Sequence, residues 1–576
     1  MQSLRAVLRC RRIPRSAREQ AMAELKRLIQ GNLPIERIER HQWPVNRWPA
    51  NAFGVNLQAN AQDVIAGMDS LPSGGRAGYP SKFRLQTTQK LYCVTRMALE
   101  LARPVAERFI HFVNRTGSPY HSVQAVRNIL TNAGFEELHE RTAWKMVRGG
   151  KYFVTRNGSC IAAFVVGKDF GKGTAGGFCV TATHTDSPCL RLRPCAFAEK
   201  EGYHMGSVEC YGGGLWHTWF DRGLGMAGKV ALRVGKKVEE RLVHIPKPLF
   251  YLPNLAIHLK TAEEIGAFKI NKEQHLQPIL CSAIAEQLNN GKEGEKQEAK
   301  DDALRLPPAL ERLVTEMIEL PSAKLLDWDL CLMDSTPSRL SGIHSEFIES
   351  PRLDNLASTF AAFEALVEAS RRQDEPTQEC GEKDILVAVA FDHEEVGSES
   401  LAGANSNILE AWMRRSLRAL ECEDDFYEIL AKSFIVSSDM AHAVHPNYSD
   451  KHQSQHKPSI HKASSGCLPS WFCKVFSETC WLLQGVVIKE NANQSYASNA
   501  SSMSFVRAIA EEADIPLQDF VVRNDSRCGG TVGAMLSARL GVRTVDIGIP
   551  QWAMHSCREI CGATDLMYLQ KLLEVI

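Results

Sequence analysis

Four short apolar segments, each leading into histidine or acidic residues, constrain the fold of this chain more than any other feature of its sequence. Runs of this length without polar alternation are typical of strands that are buried on both faces of a parallel sheet. Helical patterns lie between the runs, over residues 355–372 and 497–513 for example. The runs and the residues to which they lead are 177–183 with His184, 385–391 with Glu394 and Glu395, 433–436 with Asp439, and 542–549 with His555.

Strands that alternate with helices predict an α/β fold, in which a parallel or mixed sheet carries helices on both faces. Sheets of this kind bind ligands outside the carboxyl ends of their strands. Because each of the four runs delivers His, Asp or Glu to that edge, we expect these side chains to lie close together.

The chain is long enough, at 576 residues, for two or more domains. The strand and helix signals occupy residues 96–187 and 351–576, which we expect to form one domain. Residues 188–350 show short alternating patterns and many glycines, which predict an inserted antiparallel β-rich domain. Residues 1–95 alternate short helical patterns with Pro- and Gly-rich stretches, so we expect an N-terminal extension that is partly disordered or loosely packed.

The charge balance gives no reason to expect nucleic acid or a membrane as partner. Lys plus Arg and Asp plus Glu each total 67 residues, and no apolar run reaches the ~20 residues that a membrane helix needs. The 17 cysteines form no CxxC pair, which favours reduced thiols and a cytoplasmic location. The Arg-rich, acid-free first 18 residues fit either an organelle transit peptide or a disordered basic leader.

The residues at the strand ends suit a pair of divalent metal ions that activates water for hydrolysis. Such a pair needs a bridging carboxylate, with nitrogen and oxygen ligands on each side. The candidate ligands are His184 and Asp439 for one ion, Glu395 and His555 for the other, and Asp354 for both. Glu394 is the candidate general base, and Asp186 is the candidate partner that fixes the His184 tautomer. Zinc, manganese and cobalt all suit these ligands.

Each of these residues also has a purely structural interpretation. A histidine at a strand end is often a hydrogen-bonded structural residue, and an acidic pair such as Glu394–Glu395 is often a solvated turn. Asp354 has the position of a helix N-cap. The combination favours the metal site, because two acids directly after a seven-residue apolar strand make a poor surface turn. Phosphate-loop and Ser-His-Asp interpretations fail, since neither the P-loop Lys-Ser/Thr nor a GxSxG elbow is present.

At these same residues the sequence resembles the aspartyl aminopeptidases, the M18 family of metallopeptidases. The resemblance runs from about residue 104 to the C-terminus. The stretches that carry it are HTDSPCLRLRP from His184, GGGLWHTWFDRGLG from Gly212, PRLDNLAS from Pro351, FDHEEVGSES from Phe391, SSDMAHAVHPNYSDKH from Ser437, and PQWAMHSCRE from Pro550.

The resemblance implies a zinc-aminopeptidase-like α/β fold and an enzyme that removes N-terminal Asp or Glu from peptides with two zinc ions per subunit. It assigns the metal-ligand motifs to the five candidate ligands above and the base motif to Glu394. Residues 96–187 and 351–576 would then be the catalytic domain. Residues 188–350 would be a dimerisation domain through which dimers assemble into a homo-oligomer, a dodecamer.

Three further positions follow from the resemblance as substrate-binding candidates. His258 matches a histidine that reaches the active site of a neighbouring subunit, although a strand histidine at an interface is the plain alternative. Lys462 matches the position of a cation that would pair with the acidic side chain of the substrate. His442 matches a motif histidine that orients or supports the site.

The chain departs from the family pattern in its N-terminal extension and at residues 463–484, an apolar insertion directly after Lys462. The insertion is either a loop or helix over the substrate entrance or an assembly contact, or a segment mispredicted in the gene. Two other functions remain open: the same two-metal hydrolase with a different N-terminal specificity, and an inactive scaffold or cargo assembly.

Overall fold

The computed structural model describes residues 98–171, 176–290, 306–320, 323–373, 383–461 and 485–576. The predicted extension at 1–95, Lys462 and the insertion at 463–484 lie outside these ranges. The first strands in chain order are β1 Glu136–Leu138, β2 Lys151–Arg156, β3 Cys160–Val166 and β4 Phe178–His184. They are followed by β5 Cys189–Lys200, β6 Tyr203–Tyr211, β7 Gly223–Val234, β8 Lys237–Tyr251, β9 Ile279–Ser282 and β10 Lys324–Asp334. The remaining strands are β11 Arg339–Ser341, β12 Phe347–Ser350, β13 Ile385–Phe391, β14 Phe434–Ser438, β15 Ala441–His442, β16 Val486–Glu490, β17 Leu517–Val521, β18 Arg543–Gly548, β19 Pro550–Trp552 and β20 Glu559–Gly562.

The helices begin with α1 at residues 98–113. Those that follow are α2 Pro119–Asn132, α3 Ala262–Gly266, α4 Lys272–His275, α5 Ala283–Asn290, α6 Pro308–Met317, α7 Leu353–Gln373, α8 Ile408–Ala419, α9 Phe426–Lys432, α10 Ala500–Glu512, α11 Val532–Leu540 and α12 Ala563–Leu573. No helix in the described part of the chain is long and apolar enough to cross a membrane.

The central sheet contains the four strands that the sequence predicted. Its order is β1-β2-β3-β13-β4-β14-β18-β16-β17. The neighbours β13, β4, β14 and β18 run parallel, whereas β2/β3, β3/β13 and β16/β18 are antiparallel. The carboxyl ends of β13, β4, β14 and β18 therefore meet at one edge of the sheet.

Helices cover both faces of this sheet, as predicted, because its central strands are apolar on both sides. Along β13, Ala388 and Ala390 pack into a core that includes Phe109 of α1 and Phe360 of α7. Val387 and Val389 pack into a second core on the other face, which includes Trp412 of α8 and Leu536 of α11. Strands that are buried on both faces have the continuous apolar sequence seen here.

The inserted β-rich segment is a closed antiparallel barrel in the order β10-β5-β6-β9-β8-β7. Alternate residues such as Val230 and Leu232 of β7 point inward and share a core with Leu310 of α6. The barrel strands occupy Cys189 to Asp334. The strands β11 and β12 that follow belong instead to a small sheet of order β11-β12-β20-β19-β15. The dimerisation role of the barrel stays a prediction.

Candidate metal centre

Three adjacent parallel strands bring their terminal residues to one edge of the central sheet. His184 is the last residue of β4 and is the register partner of Phe391, the last residue of β13. Glu394 and Glu395 follow β13 after a turn in which His393 is left-handed, with φ 63°. Asp439 follows β14 and is fixed by a hydrogen bond from its backbone N–H to the carbonyl of Ile547 in β18, 2.9 Å long.

His184, Asp354 and Asp439 form the first group of this centre, and all three are buried. His184 Nε2 lies 3.3 Å from Oδ1 of Asp354 and 3.6 Å from Oδ1 of Asp439. The Asp354 backbone is non-helical, with φ −80° and ψ 107°, and its carboxylate points into the group.

Asp354, Glu395 and His555 form the second group. His555 Nε2 lies 3.4 Å from Oδ2 of Asp354 and 3.3 Å from Oε2 of Glu395. The two oxygens of Asp354 therefore face different histidines. The structure brings together these five predicted residues in the two groups that the sequence analysis proposed, with Asp354 shared between them.

Unpaired polar atoms show that these residues fit a bound cation. His184 Nε2, Asp354 Oδ1 and Glu395 Oε1 are buried and have no hydrogen-bond partner among the described residues. Leaving such atoms unpaired costs about 1–3 kcal/mol each. Imidazole nitrogens and carboxylate oxygens, which both groups present, are ligands that zinc binds, so the donor set and the unpaired atoms are both consistent with a metal pair.

The carboxylates also raise the proton affinity of the two histidines. Burial lowers the pKa of His555, but hydrogen bonds to Asp354 and Glu395 outweigh it and bring the pKa to about 11. Burial likewise opposes protonation of His184, yet Asp186, Asp354 and Asp439 raise its pKa well above the usual value. The same negative charge that holds protons here attracts a divalent cation.

Glu394 borders the first group without belonging to it. Its Oε2 lies 3.8 Å from His184 Nε2, and its side chain is 14% exposed, so it reaches the open side of the centre. Burial raises the pKa of Glu394 to about 8, with Asp439, Glu395 and Asp354 adding to the rise and His184 opposing it. A carboxylate with a pKa near neutrality suits proton transfer.

Asp186 supports both the histidine and the acidic pair. Its Oδ1 lies 3.4 Å from His184 Nδ1 and accepts the backbone N–H of Glu394 at 3.1 Å. Its Oδ2 accepts the backbone N–H of Glu395 at 3.1 Å and the hydroxyl of Tyr211 at 2.7 Å. Asp186 thus orients His184 and fixes the turn that carries Glu394 and Glu395.

The three predicted substrate-binding residues have different positions. His442 ends β15 and lines an open recess beside the centre. Partial desolvation by the surrounding protein, together with Lys489, lowers its pKa, although the residue is exposed to the recess. His258 is exposed on the turn Ile257–Leu259, and no hydrogen bond or ion pair in the described ranges joins it to the centre. Lys462 lies outside the described residues.

Sequence reasoning missed two supporting residues, Glu559 and Lys489. The carboxylate of Glu559 accepts the backbone N–H of Asp354 at 3.1 Å and that of His555 at 2.7 Å, linking the two halves of the second group. Lys489 is buried with Nζ 3.7 Å from Asp439 Oδ2. Glu559 lies in the stretch PQWAMHSCRE, four residues after the predicted ligand His555. An acidic residue so close to a ligand was the signal by which the sequence could have identified it.

Comparison with known proteins agrees with this geometry. A family model described as "Aminopeptidase I zinc metalloprotease (M18)" matches residues 112–465 and 473–575. Aspartyl aminopeptidase 1 of Schizosaccharomyces pombe is 40% identical over 476 residues, which cover 81% of this chain and 93% of the relative. The aspartyl aminopeptidase of Caenorhabditis elegans is 38% identical over 469 residues, with coverage of 81% and 93%.

Solved structures show the same fold. The cryo-EM structure of the Ape4 and Nbr1 complex matches with a TM-score of 0.73 and 39% identity, covering 83% of this chain and 86% of that one. The S. cerevisiae mApe1 dodecamer matches with a TM-score of 0.66 and 25% identity, covering 82% and 95%. The chain therefore belongs to the M18 family of aminopeptidase I zinc metalloproteases, as its motifs predicted.

Proposed function

We propose that this M18 enzyme removes N-terminal Asp or Glu from peptides and that each subunit uses two zinc ions. His184, Asp354 and Asp439 would hold one ion, and Asp354, Glu395 and His555 the other. The observation that carries this proposal is the divided carboxylate of Asp354, whose two oxygens face the two histidines at 3.3 and 3.4 Å. A site for one metal ion would not need the two oxygens of Asp354 to face different histidines.

Bound zinc would polarise the scissile carbonyl and lower the pKa of the attacking water. Glu394 takes the proton of that water on its carboxylate, and it then donates the proton to the leaving amine. Its position at the rim of the first group and its raised pKa both suit a group that accepts and then releases a proton. Asp186 keeps Glu394 in place through the backbone N–H of that residue.

The recess lined by His442 supports a preference for acidic substrates. It has a volume of about 280 Å³ and continues to Ala553 and Met554, next to His555. Its cationic side chains are Lys451, Arg527 and Arg523, of which Arg523 is paired with Asp525. The histidines His442, His445 and His452 also line it. None of the described residues that line it is acidic. A carboxylate in such a recess is attracted by the surrounding positive charge, and Lys462 would add a further cation.

The aspartyl aminopeptidase names of the relatives support the same specificity. The mApe1 dodecamer supports a homo-oligomer, which we propose is a dodecamer built from dimers. Assembly would give the exposed His258 a role, because a histidine that does not reach the centre of its own subunit can act in a neighbour. The described cysteines are all free thiols, which supports a reducing compartment, the cytoplasm.

The test is hydrolysis of Asp-, Glu-, Leu- and Arg-amide reporters by the purified full chain, before and after chelation. We expect turnover of the acidic reporters only, lost on chelation and restored by zinc. Glu394→Gln should lower kcat by at least a thousandfold while zinc content stays at two per subunit. Glu399→Gln, an exposed acid five residues away, is the matched control and should behave as wild type.

The outcomes separate the alternatives. A preference for the Leu or Arg reporter with the same zinc dependence would keep the mechanism and overturn the acidic specificity. A zinc-loaded, assembled protein without turnover of any reporter would overturn the enzymatic function and favour a scaffold.

A further inference from the structure

A second cluster of metal-ligand side chains lies in the barrel, apart from the centre described above. His204 of β6 and Cys281 of β9 are direct cross-strand partners, so their side chains lie on the same face of the sheet. Glu286 comes from α5, which begins directly after β9. One ligand atom from each of the three residues lies within 4.8 Å of the others. We propose that His204, Cys281 and Glu286 form a third metal site, which binds a zinc-type divalent ion.

The histidine provides an independent reason to expect a ligand. His204 is only 8% exposed, and its Nδ1 is buried with no hydrogen-bond partner among the described residues. Its ring packs edge-on against Phe197, with centroids 5.2 Å apart, so the imidazole is held in place. An unpaired buried ring nitrogen is unfavourable. Coordination of a cation by the imidazole would remove that penalty.

The ligand set and its spacing suit zinc. A thiolate, an imidazole and a carboxylate are the three side-chain types that tetrahedral zinc binds. Zinc–ligand bonds of about 2.0–2.3 Å place the ligand atoms about 3.3–3.8 Å apart. The ligand atoms of the present cluster, which lie within 4.8 Å of one another, would move closer together when an ion binds. The fourth position would be left to a water.

The carboxylate of Glu286 has a positively charged partner outside the cluster. Arg312 Nη2 donates to Oε1 of Glu286 at 2.7 Å, and the Glu286 side chain is 9% exposed. An outer hydrogen bond of this kind orients a metal-binding carboxylate. The half-buried Cys281 thiol releases its proton when the ion binds. The bound ion would link α5 and β9 to β6 through Glu286, Cys281 and His204.

Cobalt substitution distinguishes this site from the catalytic one. The proposed catalytic ligands include no cysteine, so a thiolate-to-cobalt charge-transfer band in the near ultraviolet reports only on a cysteine site. Metal-free full-length protein titrated with Co²⁺ should bind three equivalents per subunit and show this band. Cys281→Ser should bind two equivalents without the band and hydrolyse the Asp-amide reporter within twofold of wild type.

Two further variants sharpen the test. Cys210→Ser, which removes the cysteine of β6, should keep the band and all three equivalents. His204→Gln should weaken the third binding step by at least tenfold. A wild-type protein that binds cobalt without the band, or a band that survives in Cys281→Ser, would overturn the proposal. If Cys281→Ser fails to fold, zinc X-ray absorption of the wild-type protein decides, because a sulfur ligand at about 2.3 Å is required.

Discussion

Nζ of Lys489 lies 3.7 Å from Oδ2 of Asp439, although Lys489 is among the largest fully buried side chains of the protein. The ammonium also donates to the carbonyl of Met440 at 3.1 Å and lies 5.2 Å from the ring centre of Tyr496. A buried cation is tolerated only when it is paired and hydrogen-bonded. Lys489 therefore fixes the outer oxygen of Asp439 and leaves Oδ1 directed at His184.

Lys489→Met tests this relationship, because methionine keeps much of the side-chain length and removes the charge. We expect zinc affinity to fall by about 10–100-fold, the usual effect of removing an outer partner of a metal ligand. The measurement is a zinc titration against a competing chelator. Lys571→Met, which removes a half-buried lysine of α12, should leave zinc affinity unchanged. Equal affinity in the two variants would show that Asp439 needs no buried cation.

Asp186→Asn replaces an acceptor of two backbone N–H groups with an amide that can offer only one acceptor atom. The turn with Glu394 and Glu395 should loosen, and His184 should lose the negative charge 3.4 Å from its Nδ1, although the backbone carbonyl of residue 186 still contacts that nitrogen at 3.1 Å. We expect kcat on the Asp-amide reporter to fall by about 10–100-fold. Tyr211→Phe removes a single hydrogen bond to the same carboxylate and should reduce kcat by less than tenfold. The prediction is wrong if the smaller change has the larger effect.

The strand-end residues could be predicted because the signal is local. A candidate ligand follows each apolar run along the chain, and the parallel register of β4 and β13 in the structure places His184 beside the turn after Phe391. The α/β fold with helices on both faces and the inserted antiparallel domain followed from the same patterns, and both are confirmed.

The supporting residues could not be found in this way because they depend on pairing over long distances. Lys489 reaches Asp439 only because β16 runs antiparallel to β18, which places Lys489 opposite Asp546. Tyr211 comes from a barrel strand, and nothing in its sequence context predicts that its hydroxyl meets Asp186. Periodicity assigns strands but does not give their order in the sheet.

The positive charge of the recess beside the centre predicts tighter binding of an acidic substrate than of a neutral one. Lys451 and Arg527 are both exposed at its wall. In the double variant Lys451→Gln, Arg527→Gln, we expect KM for the Asp-amide reporter to rise about fivefold with kcat unchanged, because exposed charges contribute less than about 1 kcal/mol each. KM for a neutral reporter should not rise. An equal rise for both reporters would mean that the variant disturbs the recess itself rather than its charge.

The buried His121, which packs against the half-buried His244, predicts that acid destabilises the protein. His121 donates to or accepts from Ser118 Oγ at 2.8 Å, and its ring lies 5.3 Å from that of His244. Burial, with His244 and Arg352 adding to the effect, lowers the pKa of His121 to about 3. Between pH 6.5 and 3 the unfolded chain therefore binds a proton that the folded chain does not. The free energy of unfolding falls as pH drops through this window, by up to about 1.4 kcal/mol per pH unit.

His121→Gln removes that titration, and glutamine keeps a polar atom for Ser118. We expect wild type to lose more thermal stability than the variant between pH 7 and pH 5, measured by differential scanning fluorimetry. His111→Gln, on the preceding helix, serves as the control for an exposed histidine and should retain the wild-type difference. A variant as sensitive to acid as wild type would exclude His121 as the cause.

Gly548 of β18 packs directly against the backbone carbonyl of Asp439. A Cβ at position 548 would lie 1.7 Å from the carbonyl oxygen of Asp439, a distance that no side chain can adopt without moving the backbone. Gly548→Ala should therefore lower stability by about 1–3 kcal/mol or more and displace Asp439. We expect a lower melting temperature together with fewer than two zinc ions per subunit, determined by elemental analysis. Gly266→Ala, whose Cβ meets open space, should change neither quantity. A stable Gly548→Ala protein with full zinc content would show that the Asp439 backbone can shift without loss of the site.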